Sequence, residues 1–438
     1  MSRVLFDLTD LIEWSGNLTG IQRVVYNIAI RIEKQLPNLT FVRFNSKKNK
    51  FTRSSLKELT LNSNSHLEAR SNESNFLLKN KIRKSKVYAI GKQYLPLFVK
   101  KVIVQFVRSA IYTAKLVIDL PKRFNTTEDR ELNIVELRDN DTLIIPGASW
   151  SSSGLLEFLA KEKLKKNILI QHFVYDLIPV LYPQFFGPGF GKHFAAYTFK
   201  MVEIGDSFVA ISKSTKKDLE EFISKMRFNN KTVDVIRLGD EINLSKHKNT
   251  TFSTQEKPFF IAVGTFEVRK NYELIYQVYK LAYKKNINLP HVVIVGKQGW
   301  LTHDLKYKIE VDLEIEGKII LRDNVSDDEL DYLYNDCILS IYPSHYEGWG
   351  LPVAESLSYG KLCLSSNTSS MPEIGGELIE YFDPNSPTAL LKLLVKYTKN
   401  KDNIKKAESK IKSRYVPISW DKTADQYLKI TKKLIAQT

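Results

Sequence analysis

The sequence predicts an α/β chain built as two doubly wound domains, each a parallel sheet covered by helices on both faces. Three observations carry this. Short apolar runs alternate with segments of helical period along the chain, the pattern of strand, crossover helix and next parallel strand. The 438 residues, 43% of them apolar, suffice for two substantial cores. Glycines stand where predicted strands turn into helices, at Gly16 and Gly20, at Gly264, and at Gly348 and Gly350, the edge at which open sheets bind ligands.

Taken in order, Val4 to Leu8 is the first predicted strand. The start MSRVLFDLTDLIEW holds acidic residues inside its apolar run and no small-residue cleavage site, so it reads as this strand rather than as a secretory signal. A polar loop to Gly20 leads to a helix from Ile21 to about Lys34, on which Ile21, Val24, Val25, Ile28 and Ile32 recur at the helical period. Further strands are expected at Leu143 to Pro146, Asn167 to Val174, Phe208 to Ile211 and Val233 to Leu238. The polar run KHKNTTFSTQEK, 246–257, suits a linker. A second series begins with a strand at Phe259 to Val263, a turn at Gly264 and Thr265, and a helix at Tyr272 to Lys284. Strands at Val292 to Val295, Ile319 to Leu321, Leu339 to Tyr342 and Leu362 to Ser365 continue it.

The stretch from Ser340 to Gly376 is the most informative. Glu347 to Gly350 reads as a turn after a buried strand, and Pro352 to Tyr359 as a helix with proline near its first turn and Gly360 at its C-cap. The unpaired N–H groups and positive dipole end of that helix favour a phosphate, and Gly348 and Gly350 let it approach the backbone. Glu355 lies one turn further in, where a carboxylate can accept hydrogen bonds from sugar hydroxyls. Glu347, Gly348, Trp349, Gly350, Leu351 and Glu355 are therefore candidate ligand-binding residues, with Gly20 from the first domain.

Glu347 and Glu355, with seven residues between them in this context, resemble the signature of retaining glycosyltransferases of family 4, which have the GT-B fold. The resemblance extends through TGIQRVV (Thr19 to Val25), YDLIPVLYP (Tyr175 to Pro183), AIS (Ala210 to Ser212), VGTFEVRKN (Val263 to Asn271), VGKQGW (Val295 to Trp300) and SWDKTADQYL (Ser419 to Leu428). It spans nearly the whole chain except roughly residues 45 to 140, and within the family it is nearest to O-antigen and capsular polysaccharide mannosyl- or rhamnosyltransferases. It implies an acceptor-binding domain at 1–245, carrying a basic, partly amphipathic insertion at about 46–123. It further implies a nucleotide-sugar-binding domain at 246–415 and a C-terminal helix, 416–438, that crosses back to the first domain.

Departure of a nucleoside diphosphate from a sugar carbon builds negative charge on the leaving oxygens. Arg269 and Lys270 match the basic pair that clasps the diphosphate in the family, and a well-placed donor of this kind commonly contributes about 3 to 4 kcal/mol. The resemblance places Glu347 on hydroxyls of the donor sugar, Glu355 on the ribose and Val325 beside the base. Spacing alone also leaves Glu347 as a stabiliser of the cationic ring or as a cap of the following turn. Arg23 sits off the apolar stripe of its helix and reads either as a surface residue or as a contact to acceptor or donor phosphate. Asp176 is the candidate polar group near the reacting centre, with a structural role at a strand end as its alternative. Many relatives carry a histidine directly before that aspartate, where this chain has Tyr175. His172, three residues earlier, points to the opposite face of the strand and reads as a hydrogen-bonded core histidine. In transferases of this sort the leaving phosphate is thought to take the proton from the incoming hydroxyl, so no enzymic base is obligatory.

No metal or cofactor is expected beyond the donor itself. Asp139-Asn140-Asp141 has the form of a manganese motif, but it precedes a strand and reads as turn chemistry. Asp327 and Asp328 follow Ser326 as a helix-capping sequence. The only cysteines, Cys337 and Cys363, lie in apolar runs without disulfide or zinc spacing, which fits a reducing cytosol.

Of the formal charge of +16, most resides between Ser46 and Arg123, where eighteen Lys and Arg face four Asp and Glu. Within that stretch, 94–120 is mostly apolar, its charged residues being Lys100, Lys101, Arg108, Lys115 and Asp119. Such a segment suits a membrane interface and is too interrupted for a confident span. The alternatives are an amphipathic helix packed on the first domain, and nucleic-acid binding, for which no recognisable module is present. The expectation is a cytoplasmic enzyme, peripheral at the inner face of the cell membrane, that moves a sugar from a nucleotide sugar to a lipid-linked or oligosaccharide acceptor with retention. The competing readings are an inactive GT-B scaffold partnering another transferase, and a GT-B nucleotide-sugar epimerase or hydrolase.

Overall fold

Residues 2–14, 20–59, 133–241 and 258–436 are described by a computed structural model. The linker at 246–257, the amphipathic segment at 94–120 and Gly16 lie outside the described residues. The chain divides into two compact units, one of Met1–Asn49 with Leu137–Thr438 and one of Lys50–Glu136. In the second unit, β3 (Lys50–Arg53) and β4 (Ile134–Val135) form an antiparallel pair with Phe51 opposite Val135.

The first unit holds two parallel sheets. One contains β1 (Val4–Asp7), β2 (Leu39–Asn45), β5 (Thr142–Ile145), β6 (Leu169–Val174), β7 (Ser207–Ala210) and β8 (Thr232–Val235), in the order β2-β1-β5-β6-β7-β8. The other contains β9 (Phe259–Val263), β10 (His291–Val295), β11 (Ile319–Arg322), β12 (Ser340–Tyr342), β13 (Cys363–Ser366) and β14 (Glu380–Phe382), in the order β11-β10-β9-β12-β13-β14. Every residue of β1, β5 and β7 is buried, as it must be in a parallel sheet covered on both faces. β2 and β14 were not anticipated from sequence: β2 mixes buried with half-buried positions, and β14 is three residues long at a sheet edge.

Strand order fixes where a ligand fits. In the second sheet the chain runs outward from β9 through β10 to β11, then returns to the other side of β9 at β12. The loops after β9 and β12 thus flank a switch point, the crevice at which doubly wound sheets bind ligands. Val263 ends β9 and Gly264 follows with φ of +149°, a backbone angle that favours glycine.

The C-terminal helix, Trp420–Ile435, is N-capped by Ser419 and packs on the first sheet. Its Thr431 hydroxyl donates to Gln171 Oε1 at 2.8 Å, and its Tyr427 ring lies 5.5 Å from Phe173. The Asp139-Asn140-Asp141 triplet serves as a turn. Arg3 donates to both oxygens of the Asp141 carboxylate, Asp139 accepts from Asn167 N at 2.8 Å, and Asn140 adopts φ of +65°. Ser326 caps Asp327–Asp336 by accepting from Glu329 N.

His172 departs from expectation. It is a core residue, 1% exposed, with its ring stacked on Phe208 at 6.1 Å, yet neither ring nitrogen has a hydrogen-bond partner among the described residues. Burial, with the Lys163 and Lys231 charges in support, lowers its pKa to about 3. An unfolded histidine titrates near 6.5, so below that pH the unfolded chain gains a proton that the folded ring refuses. This contribution is absent above pH 6.5, and stability falls as pH drops from 6.5 toward 3. His172→Phe, which keeps a ring against Phe208, should spare the protein about 2 kcal/mol of the stability that the parent loses between pH 7 and pH 5. Urea unfolding of both proteins at the two pH values checks this; equal losses would refute it.

Candidate active site

The loop after β9 carries Glu267, Arg269 and Lys270 in a tight path. A single 3-10 turn spans Val268–Lys270, and Asn271 at φ of +57° hands the chain to the helix Tyr272–Lys284. Asn271 is fixed by donating to the carbonyls of Pro343 and Pro384 at 3.1 and 2.8 Å. The loop after β12 brings Glu347 to meet the cations. Lys270 Nζ lies 2.7 Å from Glu347 Oε1, and Arg269 Nη1 lies 2.5 Å from Glu347 Oε2. Arg269 also donates to Glu267 Oε1 at 2.6 Å and to the Tyr346 carbonyl at 2.8 Å, and Lys270 donates to the Tyr342 hydroxyl at 3.0 Å.

All members of this cluster are buried or nearly so. Lys270, Glu347 and Glu267 are 9%, 7% and 2% exposed, which makes each charge strongly felt by its neighbours. Burial by itself would push the Glu347 carboxyl up, but the Arg269 and Lys270 cations outweigh it and hold the pKa down at about 2. Glu347 is therefore an anion at neutral pH and cannot act as a proton donor there. Burial works against the Arg269 cation, yet Glu347 and Glu267 outweigh it and raise that guanidinium above its ordinary range. The two cations are not free: they are held in place by two carboxylates, and the Glu347 side chain joins them instead of capping the following turn.

Asp176 comes from the first sheet, just beyond β6. Its Oδ1 accepts from Ile178 N at 3.0 Å, a turn bond just ahead of the short helix Ile178–Leu181, whose N-cap is Leu177. It also feels the charges of Arg269, Glu347 and Lys270, while burial raises its pKa. Gly348 makes this approach possible, because a Cβ there would stand 2.1 Å from the Tyr175 carbonyl oxygen. Thr215 Oγ1 braces the junction, within 3.1 Å of Tyr175 O and 3.3 Å of Gly348 O. Tyr175, where a histidine was noted as the commoner residue, is buried and donates its hydroxyl to Pro146 O at 2.8 Å.

The remaining candidates lie around this cluster. Gly350 takes φ of +137° and heads the helix Leu351–Ser358, and the buried Trp349 has its carbonyl bonded by Ser370 Oγ. Leu351 is half-buried at the helix start. Glu355 accepts from Tyr334 at 3.3 Å and pairs with Arg23 at 3.3 Å. Burial raises its pKa, and the Arg23 charge opposes the rise. Gly20, at φ of +54°, begins the helix Ile21–Ile32 that carries Arg23. Val325 packs against the core cluster of Phe259, Ile261, Val293 and Tyr334. Sequence reading did not assign Glu267, Tyr342 or Tyr346 to the site. Glu267 is two residues from Arg269 within the quoted VGTFEVRKN, which is the one local sign of it.

Comparison with known proteins places the chain among glycosyltransferase-like sequences and folds. Residues 245–414, which include the loops after β9 and β12, match the family described as glycosyl transferases group 1. The O-antigen chain mannosyltransferase B of Escherichia coli is 33% identical over 132 residues, 30% of this chain and 34% of that protein. The serotype-specific mannosyltransferase WbdA of Escherichia coli is 26% identical over 234 residues, 50% of this chain and 28% of that protein. The chain thus spans about a third of the length of these relatives or less. Among solved structures, Anabaena Alr3699/HepE in complex with UDP and glucose superposes with a TM-score of 0.55 at 12% identity, covering 99% of this chain and 100% of that one. That likeness concerns the fold. Residues 245–414 therefore match the glycosyl transferases group 1 family, and the chain has the GT-B fold and is similar to O-antigen mannosyltransferases.

Proposed function

We propose that this protein transfers a hexose, mannose being the first candidate, from a nucleotide diphosphate sugar to a saccharide acceptor of a cell-surface polysaccharide. The observation that carries the reading is the buried Arg269, Lys270 and Glu347 cluster at the switch point of the second sheet, faced by Asp176 from the first. The relatives' names, O-antigen and serotype-specific mannosyltransferase, supply the sugar and the acceptor class. In this reading the bond from the anomeric carbon to the diphosphate breaks as the bond to the acceptor oxygen forms, and the acceptor's proton passes to a leaving phosphate oxygen. Arg269 and Lys270 meet the charge that develops on the diphosphate, an electrostatic stabilisation concentrated by their burial. Glu347 orients both cations and borders the donor sugar, and Glu355 borders the ribose. Retention of configuration belongs to the same reading, as does independence from metal.

The acceptor is proposed to be lipid-linked or an oligosaccharide, and the enzyme to work at the inner face of the cell membrane through the basic amphipathic stretch at 94–120. None of the described helices is long and apolar enough to cross a membrane. The reading is tested by incubating the full chain with GDP-mannose and a lipid-linked oligosaccharide acceptor. Transfer should persist in chelator, and the coupling constant of the new anomeric proton should show the donor's configuration kept. Complete loss in chelator, restored by manganese, would overturn metal independence, and an inverted anomer would overturn retention. Donor turnover to an epimer or to free sugar without acceptor would replace the proposal by the epimerase or hydrolase reading.

A further inference from the structure

Within the first compact unit, one helix of the first sheet is gripped from the second sheet at two points, and both grips lead back to Glu347. The helix Lys213–Lys225 follows β7. Its N-cap, Ser212, accepts from Thr215 N at 2.9 Å, which leaves the N–H groups of Lys213 and Ser214 without an intrahelical partner. Both donate to one carboxylate: Lys213 N to Glu373 Oε2 and Ser214 N to Glu373 Oε1, each at 2.7 Å. A negative charge at this end of a helix is further favoured by the dipole. The second grip is Tyr346, whose hydroxyl lies 2.9 and 2.8 Å from the two carboxylate oxygens of Asp218 on the same helix. The Tyr346 ring lies 4.9 Å from the Tyr182 ring, also of the first sheet's side.

At its other end, each grip is tied to the charge cluster. The Tyr346 carbonyl accepts from Arg269, and the next residue is Glu347. On the side of Glu373, the two serines that precede its short helix Met371–Gly375 hold the Glu347 backbone. Ser369 Oγ accepts from Glu347 N at 2.9 Å, and Ser370 Oγ, whose proton is shared with the Trp349 carbonyl, lies 3.0 Å from Glu347 O. A hydrogen bond to a charged group is stronger than one between neutral groups, and three donors, Lys213 N, Ser214 N and the Tyr346 hydroxyl, make such bonds at one helix.

We propose that Tyr346 and Glu373 are positioning residues: together they clip the Glu347 loop onto the helix Lys213–Lys225 and set the distance between the two sheets at which the donor meets the acceptor. Neither touches the donor in this scheme. They act through Glu347 and through closure, so their loss lowers turnover and leaves nucleotide affinity nearly intact. The catalytic consequence rests on the transfer reading above, whereas the closure itself does not.

The test uses the full chain with Lys225→Cys and Lys285→Cys, two exposed positions on either side of the junction, spin-labelled for pulsed electron resonance. The native thiols, Cys337 and Cys363, are both buried and resist labelling. Measurements are made with guanosine diphosphate and, separately, uridine diphosphate. The parent should give one narrow distance distribution, and Glu373→Ala and Tyr346→Phe should each broaden or lengthen it. Both should lower kcat about tenfold or more while the dissociation constant of the diphosphate, from calorimetry, changes less than about threefold. Glu373→Asp, which keeps the charge, should recover part of the closure that Glu373→Ala loses. Distance distributions unchanged in both variants overturn the clip, whatever the rates do. Tyr346→Phe removes one hydroxyl and keeps the ring, so the test stands even where Glu373→Ala fails to fold. A protein that closes as described yet transfers no sugar would refute the transfer reading and leave the clip in place.

Discussion

Replacing Lys270 by alanine is expected to lower the rate of sugar transfer by about 10²- to 10³-fold, the loss typical of removing one preorganised donor from a charge-developing site. The size follows from where the ammonium sits. It is 9% exposed, 2.7 Å from Glu347, 3.0 Å from the Tyr342 hydroxyl and 5.1 Å from the centre of that ring. A cation so fixed needs no reorganisation when the diphosphate leaves, and little water competes with it. The fold should survive, because Glu347 keeps Arg269 as a partner and remains ionised. Lys270→Met, which retains most of the apolar stem, separates packing from charge and should show the same fall in rate. Initial rates at saturating donor, with a melting curve for each variant, check both points. A rate within about threefold of the parent in Lys270→Met would remove Lys270 from the leaving-group role.

Much of the scaffold behind that site was legible in the sequence. β9 and the helix Tyr272–Lys284 occur at the predicted residues, since an apolar run bounded by Gly264 and a helical period bounded by polar residues are local signals. The helix after Gly350 was legible for the same reason, through its proline and glycine punctuation. What local pattern cannot hold is which charges neutralise each other. Lys270 and Glu347 are 77 positions apart, Lys213 and Glu373 are 160 apart, and Arg23 and Glu355 are 332 apart. Read singly, Arg269 and Lys270 looked like cations awaiting an anion. The fold gives them Glu347 and Glu267 beforehand, so a diphosphate enters a site that is already balanced in charge. His172 was misjudged for a related reason: a strand position predicts burial, but not whether the neighbours offer a hydrogen bond, and Phe208 offers none.

That prior balance makes Glu347→Gln the most telling substitution. Removing one partner of a buried ion pair commonly costs about 3 to 5 kcal/mol, because the remaining charge stays buried. Here Lys270 would lose its carboxylate partner, while Arg269 would keep Glu267. The titration of Glu347 points the same way. Its folded pKa of about 2 lies below the unfolded carboxylate range, so it contributes stability that is present above about pH 4.3 and lost as pH falls toward 2. The variant should therefore melt earlier than the parent at pH 7 and lose less between pH 5 and pH 3. Transfer should fall with it, since the cations lose their orientation. Nucleotide binding should move the other way. A diphosphate returns negative charge to the two cations that lose Glu347, so a saturating nucleoside diphosphate should raise the melting temperature of Glu347→Gln by more than it raises that of the parent. A smaller rise in the variant would mean that the diphosphate does not lie on Arg269 and Lys270, and the donor site would have to be sought elsewhere along the switch point.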